Sequence, residues 1–340
     1  MAAPAGSAPW RTVGPGWSVV QYLKASPNKP GEELFYLASP TGKKYLFYSL
    51  KATPEAGEDL VDWSGDGQRV LLNSQLSHAS PDKIEQVSLV TGKVITRFTW
   101  PGNISPVGYT KPDGLNILGI SFAGKNWQLL RYNLRGKLQK VLASGKSAYP
   151  NPLYARNGAF LVAGTTSGLE EISNLGGVIA HFKVPDKVEF CGPQRWWNQD
   201  SVLAVCYSHG LKPSRDRLWL LNVETRRWQR FSTPSKTELE SNAWQIKSGI
   251  YMQDDYTCGV IGQQWRNGST HVIKVAGNDS AYIVTGIGSR LLVRTEQKCG
   301  KASPSSLVWF NPATKSVSYL IRPKGNTVGV VFAQAFGEQP

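Results

Sequence analysis

The chain has 340 residues, 34 Gly, 21 Pro, 12 Trp and 13 Tyr, and a formal net charge of +14. No stretch approaches the roughly 18 consecutive apolar residues of a membrane-spanning helix, and no run of five basic residues marks a nuclear address or a nucleic-acid arm. The positive excess favours polyanionic partners, and the many aromatic residues are enough for a large core.

Residues 1–16 open with Met1-Ala2-Ala3-Pro4-Ala5-Gly6-Ser7-Ala8-Pro9 and read as a flexible lead, without the basic and apolar regions of a signal peptide. Residues 17–335 read as one domain. The first repeat holds three strands, over 18–23, 33–38 and 44–50.

A short turn then recurs along the chain. It reads Ser39-Pro40-Thr41-Gly42, Leu89-Val90-Thr91-Gly92, Asn133-Leu134-Arg135-Gly136 and Asn174-Leu175-Gly176-Gly177. It continues as Asn222-Val223-Glu224-Thr225, Trp265-Arg266-Asn267-Gly268 and Asn311-Pro312-Ala313-Thr314. The turn ends step by 50, 44, 41, 48, 43 and 46 positions, which is the period of four-stranded propeller blades. A second marker runs in phase: an aromatic or apolar residue ends a strand, a turn follows, and a new apolar run begins. Trp63-Ser64-Gly65-Asp66-Gly67-Gln68-Arg69-Val70-Leu71 is its clearest copy. Asp-Gly between apolar runs signals a hairpin, because the favoured turn needs positive φ. Each repeat thus reads as strands A to D, with A ending at the aromatic anchor and C and D flanking the recurring turn. No segment shows helical periodicity.

The expected fold is all-β: a seven-bladed β-propeller with four antiparallel strands per blade. The strand at 329–334 is expected to join the N-terminal blade and close the ring, removing exposed edges.

The segment Trp63-Ser64-Gly65-Asp66-Gly67-Gln68-Arg69 resembles the repeat core of the TolB-like (WD40-like) bacterial propellers. Pro112-Asp113-Gly114 and Asn157-Gly158 match it less closely. The resemblance implies an exported binding or scaffold propeller; the chain lacks the separate N-terminal domain of TolB, so the resemblance does not extend to the TolB role at the cell envelope.

The four cysteines fall in positions that select one pairing. Cys191 and Cys206 lie in strands A and B of one blade, facing across a ladder. Cys258 and Cys299 lie in B–C loops of neighbouring blades. Two such disulfides place the protein in an oxidising, extracytoplasmic compartment, secreted or at the cell envelope. No Cys-x-x-Cys or clustered His suggests a metal, and no cofactor is expected.

In a propeller the B–C and D–A loops share one face. Here the B–C loops at 24–30, 74–83, 208–217 and 296–304 are long and basic, and loops on rigid scaffolds carry function. His78, His209 and Arg215 fall in them. At the end of one strand A, Arg195-Trp196-Trp197-Asn198-Gln199-Asp200 places Trp197 in the core by phase and turns Trp196 outward. Trp196 beside Asn198 and Asp200 then suits a sugar ring, unless Trp196 packs between blades. Asp254, Asp255 and Tyr256 form an acidic loop beside Cys258, fit for a ligand or simply solvated. No nucleophile elbow, phosphate loop or dinucleotide fingerprint occurs. The function expected is a monomeric, non-catalytic binding protein. Its partner is a protein or an anionic glycan or cell-wall polymer rather than nucleic acid. The alternative is a carbohydrate-active lyase or hydrolase with its site at the channel mouth.

Overall fold

The computed structural model describes residues 2–26, 29–52, 57–75, 81, 83–124, 126–146, 150–155, 157–185, 188–207, 217–232, 240–254, 258–264, 270–299, 303–323 and 328–337. Apart from two short 3-10 turns, Ala5–Ser7 and Trp10–Thr12, its regular elements are strands.

Among the described residues, five sheets are four-stranded antiparallel meanders. The first is Gly57–Trp63, Arg69–Gln75, Lys83–Ser88 and Val94–Thr99. The second is Ile104–Tyr109, Asn116–Ala123, Asn126–Asn133 and Leu138–Lys146. The third is Leu153–Tyr154, Phe160–Gly164, Gly168–Ser173 and Val178–Lys183. The fourth is Phe190–Trp196, Ser201–Tyr207, Arg217–Asn222 and Arg227–Arg230, and the fifth Glu240–Ile246, Gly249–Asp254, Val260–Gln264 and Thr270–Ile273. These are propeller blades. The recurring turns join the third and fourth strands, as the spacing predicts; the copy at 265–268 lies outside the described residues.

The strands at the two chain ends correct the expected blade count. They form one nine-stranded sheet rather than two further four-stranded blades. Its order runs Ala3–Pro4, Lys44–Ala52, Lys29–Ala38, Ser18–Ser26, Gly329–Ala335, Ser305–Asn311, Arg290–Glu296 and Ser280–Ile287, with Ser316–Ile321 beside Ser305–Asn311. The structure therefore has five separate four-stranded blades, not seven, and no sheet closes on itself.

The join has a local cause. Gly329 and Ser305 form a parallel bridge. The Ser305 hydroxyl donates to the carbonyls of Val328 (2.8 Å) and Val330 (2.7 Å). Gly329 has φ +91°, and a Cβ there would stand 2.2 Å from the Ser305 carbonyl oxygen. Only glycine lets the two backbones approach this closely. On its other side Gly329–Ala335 pairs antiparallel with Ser18–Ser26, Phe332 opposite Gln21.

The lead expected at residues 1–16 carries structure of its own. Ala3 and Pro4 pair in parallel with Tyr45 and Leu46, and Ala5 and Ala8 are buried in the core beside Phe47 and Trp63.

The sheets pack face to face, so the core is a series of inter-sheet layers. Trp100 and Trp127 are fully buried in two of them. Side-chain amides tie neighbouring sheets: Gln86 Nε2 donates to the Leu134 carbonyl (2.5 Å), and Gln264 Nε2 to the Phe231 carbonyl (3.0 Å).

Both expected disulfides are present. Cys191 and Cys206 are register partners with Cα atoms 4.1 Å apart. Cys258 and Cys299 join two neighbouring loops at 5.6 Å.

Candidate functional site: a cation-lined central channel

The first strands of the sheets converge on a common central space. Gly57–Trp63, Ile104–Tyr109, Leu153–Tyr154, Phe190–Trp196, Glu240–Ile246, Ser280–Ile287 and Gly329–Ala335 all supply lining residues. Three cavities of about 540, 650 and 340 Å³ meet at Gln194, which lines all of them; Leu153 is common to the first two and Phe332 to the last two, so the three are contiguous.

At the end reached by the A–B turns, the walls are Trp63, Trp196 and Phe336, with Lys111 and Arg195 between them. The Trp63 and Phe336 rings meet edge to face at 5.1 Å. At the other end Leu60, Pro106, Ile120, Phe122, Pro193 and Phe332 share the lining with the neutral polar Asn73, Ser105, Asn151 and Gln194. In the side chamber Arg294 lies over the Tyr282 ring at 4.5 Å and pairs with Glu296 at 2.8 Å. The charged groups lining the three cavities, among the described residues, are thus Lys111, Arg195 and Arg294; no carboxylate lines them.

One buried carboxylate stands behind that lining. Asp62, fully buried, accepts from the backbone N–H groups of Trp63 and Tyr109 (both 2.8 Å) and from Gln334 Nε2 (2.8 Å). Lys111 Nζ donates to both Asp62 oxygens (3.0 and 2.8 Å) and to the Trp63 carbonyl (2.7 Å). The approach depends on Gly108, where a Cβ would lie 2.7 Å from Asp62 Oδ2. A buried charge is tolerable only when paired and hydrogen-bonded, and this one is. The network fixes Lys111 at the channel opening. Beside it, burial holds the Tyr109 phenol well above its ordinary pKa.

Arg195 lies over the Trp244 ring at 5.0 Å, which orients its guanidinium at the same opening. The phase expected for the adjacent tryptophans is reversed. Trp196 is buried, its Nε1 donates to the Tyr154 carbonyl (2.6 Å), and its ring meets Phe160 edge to face. Trp197 is half-buried against Phe231. The register shifts between Pro193 and Arg195, and an extra residue there flips every later side chain to the other face. Trp196 therefore packs between the third and fourth sheets, though its edge lines the channel.

The other sequence-predicted residues are not brought together. Asn198 Oδ1 accepts from the N–H groups of Asp200 (3.0 Å) and Ser201 (2.7 Å), so this pair builds the A–B turn. Asp254 ends its strand at the B–C end of the fifth sheet, away from the A–B turns. His78, His209, Arg215, Asp255 and Tyr256 lie outside the described residues, as do residues 27–28, 76–80, 208–216 and 300–302 of the long loops. Asp62, Lys111, Gln334 and Arg294 are not marked by any motif. The one sequence signal is Asp62 directly before the Trp63 anchor.

No family model and no curated protein matches the chain. Solved structures match in fold. TolB from Acinetobacter baumannii is 15% identical, over 76% of this chain and 64% of that one, with TM-score 0.50. The β-propeller domain of the Trilobed protease from Pyrococcus furiosus is 11% identical, over 88% of this chain and 98% of that one, with TM-score 0.55. Prolyl oligopeptidase B from Galerina marginata is 12% identical, over 96% of this chain and 52% of that one, with TM-score 0.57. The chain spans about half the length of such peptidases, which cover it at 51–52% of their own length. At these identities the likeness is one of fold.

Proposed function

We propose that this propeller, a single domain that includes the paired Ala3 and Pro4 and the buried Ala5 and Ala8 at its N-terminal end, is an exported, non-catalytic binding protein. Its central channel takes an extended acidic segment of a partner protein. The observation that carries the reading is the channel lining: aromatic, apolar and neutral polar side chains with Lys111, Arg195 and Arg294 and no described carboxylate. Lys111 and Arg294 are paired with Asp62 and Glu296 behind the lining, and Arg195 over the Trp244 ring is the cation at the opening that the reading assigns to the acidic segment. A volume of about 540 Å³ at that opening falls in the range of roughly 300–1,000 Å³ of ligand sites. A protein segment fits better than a glycan, because Trp196 offers no free face for a sugar ring. The two disulfides and the fold shared with TolB support an extracytoplasmic location.

The test is fluorescence anisotropy with a labelled Glu- and Phe-containing peptide, its Gln-for-Glu counterpart, and a heparin oligosaccharide. The acidic peptide is expected to bind, to weaken with salt, and to lose about tenfold or more on Arg195→Glu. Equal binding of the neutral peptide, or no effect of Arg195→Glu, sinks the reading. Tighter binding of heparin than of peptide transfers the site to anionic glycans.

A second reading is the propeller part of a peptidase. It is favoured by the peptidase structures that match nearly all of this chain with half of theirs. Binding of proline-containing peptides by the purified chain with no preference for acidic over neutral ones supports it over the first reading.

A further inference from the structure

We propose that the outer rim of the second and third sheets docks on an anionic lipid surface. The rim is built from the outer strands Leu138–Lys146 and Val178–Lys183 and the turn at 174–177.

Outer strands of a sheet normally carry charge, which blunts an unpaired edge. Here apolar side chains stand in solvent. Leu175 is 76% exposed at the tip of its turn, Ile179 57%, Leu138 48% and Val141 45%. Singly these would need no explanation, but the turn that carries Leu175 rests on the strand that carries Leu138 and Val141. The Gly177 N–H donates to the Leu142 carbonyl (2.7 Å), and Lys140 Nζ donates to the Leu175 carbonyl. A Cβ on Gly176 would lie 2.8 Å from Lys140 Cε. The turn of the third sheet therefore rests on the outer strand of the second, which makes one patch of the two.

Exposed cations lie on the same turns and strands. Arg135, Lys137 and Lys140 are exposed on the second sheet, and Lys183 ends the outer strand of the third. The nearest carboxylates of the third sheet are Glu170, 3.1 Å from His181, and Glu171, whose carboxyl is pushed up by burial and drawn down by the charge of Arg226. Protruding aliphatic side chains beside Lys and Arg are complementary to an anionic headgroup layer with an apolar interior. The patch is independent of the channel.

The test is vesicle co-sedimentation of the full chain. Vesicles of phosphatidylcholine alone are compared with vesicles that also contain phosphatidylglycerol. The wild type is expected to sediment with the mixed vesicles and not with the neutral ones. The pair Leu175→Asp and Ile179→Asp touches only exposed side chains and is expected to lower partitioning about tenfold or more. Lys247→Asp, at an exposed site on the fifth sheet, changes the net charge by the same amount and should leave binding within about twofold. Equal losses for the two variants reduce the effect to diffuse attraction and overturn the proposal. So does equal binding to both vesicle types, or no binding to either by a protein whose circular dichroism and melting are intact.

Discussion

Gln21 and Gln253 make the same pair of hydrogen bonds at two junctions between sheets. Gln21 Nε2 donates to the Glu58 carbonyl (2.5 Å), and its Oε1 accepts from the Leu60 N–H (3.1 Å). Gln253 Nε2 donates to the Ala281 carbonyl (3.2 Å), and its Oε1 accepts from the Ile283 N–H (2.7 Å). In each case a carbonyl and the N–H two residues on belong to the first strand of the next sheet. The side-chain amide thus stands in for a neighbouring strand where two sheets pack face to face. Both glutamines are buried, and the partners they satisfy have no access to water.

Removing one clamp should cost more than removing a surface glutamine. Gln253→Leu keeps the volume but leaves the Ile283 N–H without its partner. We expect a loss of about 2–3 kcal/mol in urea unfolding, against less than about 0.5 kcal/mol for the exposed Gln245→Leu. Equal effects would show that the clamp contributes nothing beyond packing.

The Asp62–Lys111 pair makes a sharper prediction. Lys111→Met leaves a fully buried carboxylate without its cation and should cost about 3–5 kcal/mol. Adding Asp62→Asn should recover part of that loss. If the double variant is no more stable than Lys111→Met alone, the penalty does not come from the stranded charge.

Between the nine-stranded and the first sheets, Glu58 lies beside Glu33 and Glu85. Burial, and then the charge of Glu85, push its carboxyl from the ordinary 4.5 up to about 7; the Ser74 hydroxyl and the charge of Lys83 oppose the shift. A carboxyl with a raised pKa holds its proton longer in the fold than in the unfolded chain. Its effect is to lower stability as pH rises from about 4.5 to about 7. Glu58→Gln should remove that slope and be the more stable protein above the window. Parallel stability curves for the two proteins across that range would refute the assignment.

The two crosslinks should differ in weight. They close loops of 15 and 41 residues, which corresponds to about 3 and about 4 kcal/mol of unfolded-state restriction. Melting of the paired Ser variants should show the larger drop for Cys258→Ser with Cys299→Ser. The reverse order would mean that native-state packing around Cys191 outweighs the restriction of the unfolded chain.

Much of the blade pattern was legible because it is local. Turns such as Asp66-Gly67 before Arg69-Val70-Leu71-Leu72 encode a hairpin within ten residues, and the period places each strand. The cysteine pairs followed from the same phase, since Cys191 and Cys206 face each other across one ladder. The site was far less legible. Lys111, Arg195 and Arg294 belong to three different repeats, and nothing in their own neighbourhoods marks them as sharing one channel.

The sequence by itself determined an all-β propeller, its recurring turns and its crosslinks, because alternation and turn chemistry act over a few residues. Tertiary structure alone decided three things. The Gly329–Ser305 contact merged the terminal strands into one sheet, a register shift beside Gln194 turned Trp196 inward, and convergence of the first strands gave the channel its positive lining. Each depends on where distant backbones meet, and a one-residue change of register there reverses every side chain that follows.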